Sequence, residues 1–224
     1  MELTSEAVRV LGCLAEKERT VPDTYPLTLK ALVTACNQSS NRWPVVQYDA
    51  GAVQRTLDDL KVDGFVRFVH PSHGERSTKF RHVIGERLGL EATEVAVLAL
   101  LFLRGPQTSA ELRSRSDRLH TFDSTDEVER VLRPMADRDD ALVRLLDRRP
   151  GEREARWVHL LAPAPEAPPV PITAFEDVSD RRAVPDALKG RAGGDLAELE
   201  VRVAALEAQV AHLYGLLGES PPTV

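Results

Sequence analysis

His70 and His73 stand three positions apart on either side of a polar turn, a spacing at which two imidazoles can share a metal ion, but no obvious cysteine or carboxylate ligand accompanies them. The related stretch later in the chain carries Asp147 and Pro150 at these places, so no metal site is assigned. His82 and His159 recur at matching places. Each has an aromatic residue two positions before it (Phe80, Trp157) and an aliphatic one two positions after it (Ile84, Leu161). A shared strand position makes them structural histidines on the inner face of a two-stranded ribbon. Cys13 and Cys36 are far apart, and Cys13 falls on the apolar face of a predicted helix, so both read as core thiols instead of a disulfide or metal pair. The chain has no phosphate-cradling glycine loop, no G-x-S-x-G elbow and no H-E-x-x-H pair. No catalytic residue and no cofactor is assigned, and the chain reads as non-enzymatic.

The remaining chemistry is that of recognition. Gln54 and Arg55 are side chains of the kind that read base edges, and Arg76, Lys79 and Arg81 are cations able to hold phosphates. Arg148, Arg149, Arg153 and Arg156 repeat that basic cluster later in the chain. The stretch CNQSSNRWPV, residues 36–45, joins an asparagine pair to a tryptophan beside a proline, the composition of a packed turn and not of a linker. Either it stabilises an enlarged turn, or Asn41, Arg42 and Trp43 present a surface to a partner.

Charge limits the nucleic-acid reading without excluding it. The 224 residues carry a net charge of −6, distributed as +1 over residues 1–85, −2 over 86–162 and −5 over 163–224. Affinity for DNA draws on phosphate neutralisation, so an acidic chain must gather its cations on one face. Residues 49–64 set Arg55 and Lys61 against Asp49, Asp58, Asp59 and Asp63, and the corresponding residues 124–140 are acidic as well.

The elements that must hold these residues follow from an internal repeat. LTSEAVRVLGCLAE from Leu3 matches LEATEVAVLALLFL from Leu90, and PLTLKAL from Pro26 matches PQTSAEL from Pro106. Residues 52–60 align with 127–135, and 66–84 with 143–161, in the same order. In the first copy Leu3, Ala7, Val10, Leu11 and Leu14 form a helical stripe. Thr28 is placed to cap a short second helix, and Asp49 a third with Val53, Leu57 and Leu60 inward. Residues 66–70 and 79–84 alternate in polarity as two strands around a polar loop. Three helices and a two-stranded ribbon are the winged helix-turn-helix plan, here expected twice.

The run PLTLKALVTACNQSSNRWPV, preceded by ELTSEAVRVLGCLAEKE and followed in the second copy by LRGPQTSAELRSRSDRLH, resembles the YceH-like family of uncharacterised bacterial proteins over about residues 2–161. The resemblance implies tandem winged helices and brings no activity, substrate or site residue with it.

After Leu161 the composition changes. Residues 162–171, APAPEAPPVP, predict a stiff extended linker, and 172–194 an irregular stretch. Leu196, Leu199, Val203, Leu206, Val210, Leu213 and Leu217 are spaced alternately three and four apart, a heptad seam that predicts a dimeric coiled coil. The expected architecture is α+β and mostly α. It comprises winged-helix domains at 1–85 and 86–161, a Pro-rich and irregular linker at 162–194, and a coiled-coil helix at 195–218. A cytoplasmic homodimer is expected, since there is no export signal or membrane-length apolar run. Two functions stay open: a DNA-binding regulator, and an adaptor that docks another protein.

Overall fold

The hydroxyl of Thr4 accepts from the Ala7 amide at 3.1 Å and starts the first helix, α1 (Ser5–Thr20). The computed structural model describes residues 2–71, 77–148 and 150–163. A 3₁₀ turn at Pro22–Thr24 leads to a short strand, β1 (Leu27–Thr28). Thr28 then caps α2 (Leu29–Cys36), and Asp49 caps α3 (Ala50–Val62) by accepting from Ala52 at 2.7 Å, both as the sequence predicts. Gly64, at φ 78°, makes the left-handed turn into β2 (Val66–Val69), and β3 (Lys79–His82) follows. The order continues through α4 (Ile84–Leu88), α5 (Ala92–Arg104), α6 (Ser109–Ser116), α7 (Thr125–Ala136), β4 (Val143–Leu145) and β5 (Trp157–His159). The architecture is α+β, with helices predominating over two small antiparallel sheets.

The sheets give the two halves a common frame. In the first the strand order is β1-β3-β2, with Val66 opposite His82, Phe68 opposite Phe80, and Leu27 opposite Phe80 on the other side. In the second, Val143 stands opposite His159, Leu145 opposite Trp157, and an isolated bridge joins Gln107 to Trp157. Phe80 and Trp157 therefore hold equivalent register positions, as do His82 and His159, and all four side chains are buried. Two elements depart from the sequence expectation. β1 adds a third strand, too short for a two-residue period to reveal. α4 takes Ile84, assigned to the end of a strand, together with residues 85–88, for which the sequence predicts no element; Gly89 at φ 64° closes the helical turn there.

The core is continuous between the halves. Residues 7–15 of α1 are buried without interruption, as are 96–103 of α5. A helix buried on every side is one enclosed by neighbours: α1 and α5 pack on each other, with α2, α3 and β3 also against α1 and α6, α7 and β5 against α5. They approach closely at Gly12, where an added Cβ would sit 2.9 Å from Cγ of Leu103 and 3.0 Å from Cβ of Phe102. Leu11, Leu14, Leu98, Leu101 and Leu103 meet in this core, each worth about 1.5–3 kcal/mol of burial. The amide of Leu3 donates to the carbonyl of Leu161 at 2.6 Å, which ties the first residues to the last strand's exit. The described residues fall in one compact unit. Among them no helix is long and apolar enough to cross a membrane. Residues 164–224, with most of the expected linker and all of the heptad residues Leu196, Leu199, Val203, Leu206, Val210, Leu213 and Leu217, lie outside the described residues.

Candidate nucleic-acid interface

α3 is held by Val53, Leu57 and Leu60, all fully buried, which leaves its opposite face to solvent. Arg55 stands on that outer face, exposed. Gln54 is half-buried, and its side-chain amide donates to Asp58 one turn on, at 3.0 Å. The rest of the helix's exposed surface is mixed: Asp58 and Asp59 are exposed, Val62 is 87% exposed, and Lys61, also exposed, lies with its ammonium 4.4 Å over the Phe68 ring. In β3 the alternation puts Phe80 and His82 inward and Lys79 and Arg81 on the outer side, half-buried. Arg81 lies opposite Arg67 across the strand pair, and both reach Glu86 of α4, Arg81 at 3.8 Å. That carboxylate offsets part of the ribbon's positive charge, although exposed pairs of this kind are weak, about 0–1 kcal/mol. Arg76 lies outside the described residues, as does Arg149.

In the second half Arg148 and Arg153 are exposed. Arg156 is committed inward. Its Nη1 donates to Glu111 at 2.6 Å and to the carbonyl of Pro106 at 3.2 Å, and its Nε to Glu152 at 3.4 Å. On α7, Val128, Leu132 and Met135 are buried, while Asp126, Arg130 and Arg133 face solvent.

The CNQSSNRWPV stretch is tied down through Asn37, Asn41, Arg42 and Trp43, while Ser39, Ser40 and Val45 are exposed. Asn37 exchanges two 2.8 Å hydrogen bonds with the backbone of Tyr48, pinching the loop closed. Asn41 adopts φ 59°, a left-handed conformation that asparagine tolerates, and its side-chain carbonyl accepts from Arg104 of α5. Trp43 is half-buried, and its amide donates to the carbonyl of Leu103 at 2.7 Å. Arg42 is not presented outward. Its guanidinium donates to the carbonyls of Ala35 and Asn41, to Gln38, and in a fork to both oxygens of Glu16, at 3.1 and 2.6 Å. A partner could meet Asn41 and the edge of Trp43, but Arg42 serves the loop itself.

Electrostatics follow this packing. Burial alone would lift the Glu16 carboxyl, but the hydrogen bonds and charge of Arg42, with Lys17, hold it below its ordinary value. The hydrogen bond from His82, 3.1 Å away, lowers Glu18. Burial, with Arg115 adding like charge, brings the Arg104 guanidinium down to about 10. Cys13 and Cys36 are free and fully buried. The bond to Cys13, and then burial, push the Cys36 thiol up, so it is an unreactive core group. Among the described residues no cluster of three or more His, Cys, Asp or Glu side chains could hold a metal ion.

Sequence reasoning missed Arg9, Glu16 and Arg104, whose spacing resembles that of surface charges. Arg9 and Glu16 are covered because α5 and the loop pack over α1, while Arg104 is half-buried where it meets Asn41 of the loop.

Residues 3–152 match the family described as "Protein of unknown function, DUF480". Among similar proteins, the UPF0502 protein of Geobacter metallireducens is 49% identical over 165 residues, which span 74% of this chain and 74% of that one. The UPF0502 protein of Chromobacterium violaceum is 42% identical across 95% of this chain and 90% of its own. That of Delftia acidovorans is 41% identical across 98% and 94%. The resemblance to an uncharacterised bacterial family holds at this level, and it extends past the two halves into the C-terminal residues: the chain belongs to the DUF480 family of UPF0502 proteins.

Proposed function

We propose that the protein is a non-enzymatic, dimeric DNA-binding protein built from two winged helices, acting in the cytoplasm as a transcriptional regulator. The observation that carries this reading is the shared register of the two sheets. Each half runs helix, short extended segment, two helices and a strand pair, and each leaves the outer face of its third helix uncovered. In a winged helix that face enters the major groove while the strand pair follows the phosphates. On α3, Arg55 and Lys61 are exposed cations, and Gln54 stands beside Arg55 in sequence. Lys79 and Arg81 are on the outer side of the ribbon, with Arg76 in the sequence between the strands. The heptad residues from Leu196 to Leu217 would join two copies and so two half-sites.

A second reading has its own support. The acids Asp58 and Asp59 beside an 87% exposed Val62 suit a protein surface better than a phosphate backbone. In that case that face, or the Asn41 and Trp43 loop, docks a partner protein.

Selection from fragmented genomic DNA at about 0.1 M salt separates the two. For a DNA-binding protein a site is enriched, and affinity falls with salt. Replacing Arg76, Lys79 and Arg81 by alanine lowers the salt slope by about one unit for each phosphate that is no longer neutralised. Replacing Gln54 and Arg55 changes sequence preference by about 1–3 kcal/mol per base pairing removed. No enriched fragment, together with a nuclease-resistant protein partner that no longer binds after Val62→Asp, would establish the adaptor instead.

A further inference from the structure

Lys17, Arg104, Arg115 and Arg118 line one cavity of about 180 Å³, set between α1, α5, α6 and the CNQSSNRWPV loop. Among the described residues, Glu16 is the one acid in its wall. That carboxylate is already committed: its two oxygens accept from Arg42 at 3.1 and 2.6 Å, and Lys17 shares the second at 2.9 Å. Arg115 is paired with Glu111 at 3.4 Å. Arg104 and Arg118 have no carboxylate partner among the described residues. Only Nη2 of Arg104 is engaged, by the side-chain carbonyl of Asn41; its Nε and Nη1 make no hydrogen bond and are not among the buried unpartnered atoms, so they reach solvent. Arg118 is exposed, and its side chain makes no hydrogen bond. Cations do suit helix C-termini, where each macrodipole places about half a negative charge. The ends of α1, α5 and α6 thus offset at most about one and a half charges, whereas Lys17, Arg104 and Arg118 bring three, and an excess of between about one and two is left. The Arg104 guanidinium registers that excess, since burial and then the like charge of Arg115 bring it down to about 10.

We propose that this cavity binds the phosphate group of a small phosphomonoester. Such a group carries a charge of about −1.5 to −2 at neutral pH and only accepts, which matches the positive excess; a carboxylate would leave part of it unbalanced. The free Nε and Nη1 of Arg104 form the fork that grips two oxygens of one oxyanion, while Lys17 and Arg118 add charge. Leu100 and Leu119 make part of the wall apolar, which suits a short carbon fragment. Size agrees, because a cavity of about 150 Å³ holds benzene, and about 180 Å³ admits a phosphate with about two carbons attached. The site uses neither α3 nor the ribbon, so it is independent of the DNA-binding reading.

The test is calorimetric titration of the full chain at constant ionic strength with ethyl phosphate, against inorganic phosphate, ethyl sulfate and diethyl phosphate. One saturable site per chain is expected, with a dissociation constant between about 10 µM and 3 mM. Ethyl sulfate has the same shape with a single charge, and diethyl phosphate mimics a DNA backbone group; both should bind at least about tenfold more weakly. Arg104→Gln should weaken ethyl phosphate by about tenfold or more, with Arg104→Lys in between, since lysine keeps the charge and loses the fork. Arg118 holds nothing in the fold, so Arg118→Ser reads the site without threatening stability and should cost about fivefold. Arg55→Ser removes the same charge from α3, outside the cavity, and should leave this affinity unchanged. Ethyl phosphate should also shift the ¹H–¹⁵N signal of Arg104 Nε. Absence of saturable heat, equal affinity for either monoanion, an unmoved Arg104 signal, undiminished binding by Arg118→Ser, or an equal loss from Arg55→Ser would each overturn the proposal. Inorganic phosphate bound about tenfold more tightly than the ester would overturn it too, because the ligand would then be the free anion.

Discussion

Removing the Glu16 charge tests whether the loop between α2 and α3 is a structural clamp. The Arg42 side chain is 0% exposed and that of Glu16 14%, so the pair is nearly dry. Glu16→Gln keeps the shape and one acceptor but leaves a buried guanidinium without its counter-charge. Breaking a buried pair from one side costs about 3–5 kcal/mol, against about 0–1 for an exposed one. Gln38 and the carbonyls of Ala35 and Asn41 remain as partners, so the lower end, about 3 kcal/mol, is expected. For a chain of this size that is a fall in Tm of about 10 °C, read by circular dichroism on heating, with urea unfolding giving the free energy. Replacing both residues, Glu16→Leu with Arg42→Met, should recover part of the loss, because no uncompensated charge then remains. The effect also has a pH signature. The folded carboxyl lies below its ordinary value of 4.5, so its contribution is present above that pH and is lost as pH falls through the folded value. The gap between the native protein and Glu16→Gln must therefore narrow in acid. A loss under about 1 kcal/mol at pH 7, or a gap that widens in acid, would refute the clamp.

Gly12→Val should destabilise by about 1–3 kcal/mol in urea, since its Cβ meets Leu103 and Phe102 at 2.9–3.0 Å, and Leu103→Ala should partly relieve it. Burial holds His159 at about 4, against 6.5 for the free group, so the unfolded chain binds its proton first. Stability should fall as pH drops from 6.5 toward 4, by up to about 3 kcal/mol, and His159→Phe should flatten that slope. Truncation after Gly194 removes every heptad residue and should turn a dimer into a monomer by light scattering; an unchanged mass would reject that interface.

What could be read from the chain alone was whatever depends on local period or on similarity between two of its stretches. The caps at Thr28 and Asp49, the inward faces of α3 and α7, and the equivalence of His82 with His159 all follow from such patterns. The alignment even placed Phe80 and Trp157 in one register, because duplicated stretches keep their polarity alternation. β1 and α4 escaped, being too short to repeat a period. The fate of individual charges escaped as well, for a different reason. Arg9, Glu16 and Arg42 are spaced like surface residues, and nothing within a turn of each says that another helix or loop will cover it. Only the packing of α5 across Gly12, with the loop closed over both helices by Asn37, Asn41 and Trp43, excludes water from them. Once water is excluded an arginine must find its partners inside the protein. Arg42 has found a carboxylate, while Arg9 has found only carbonyls, and which outcome a cation meets is decided by residues tens of positions away in sequence.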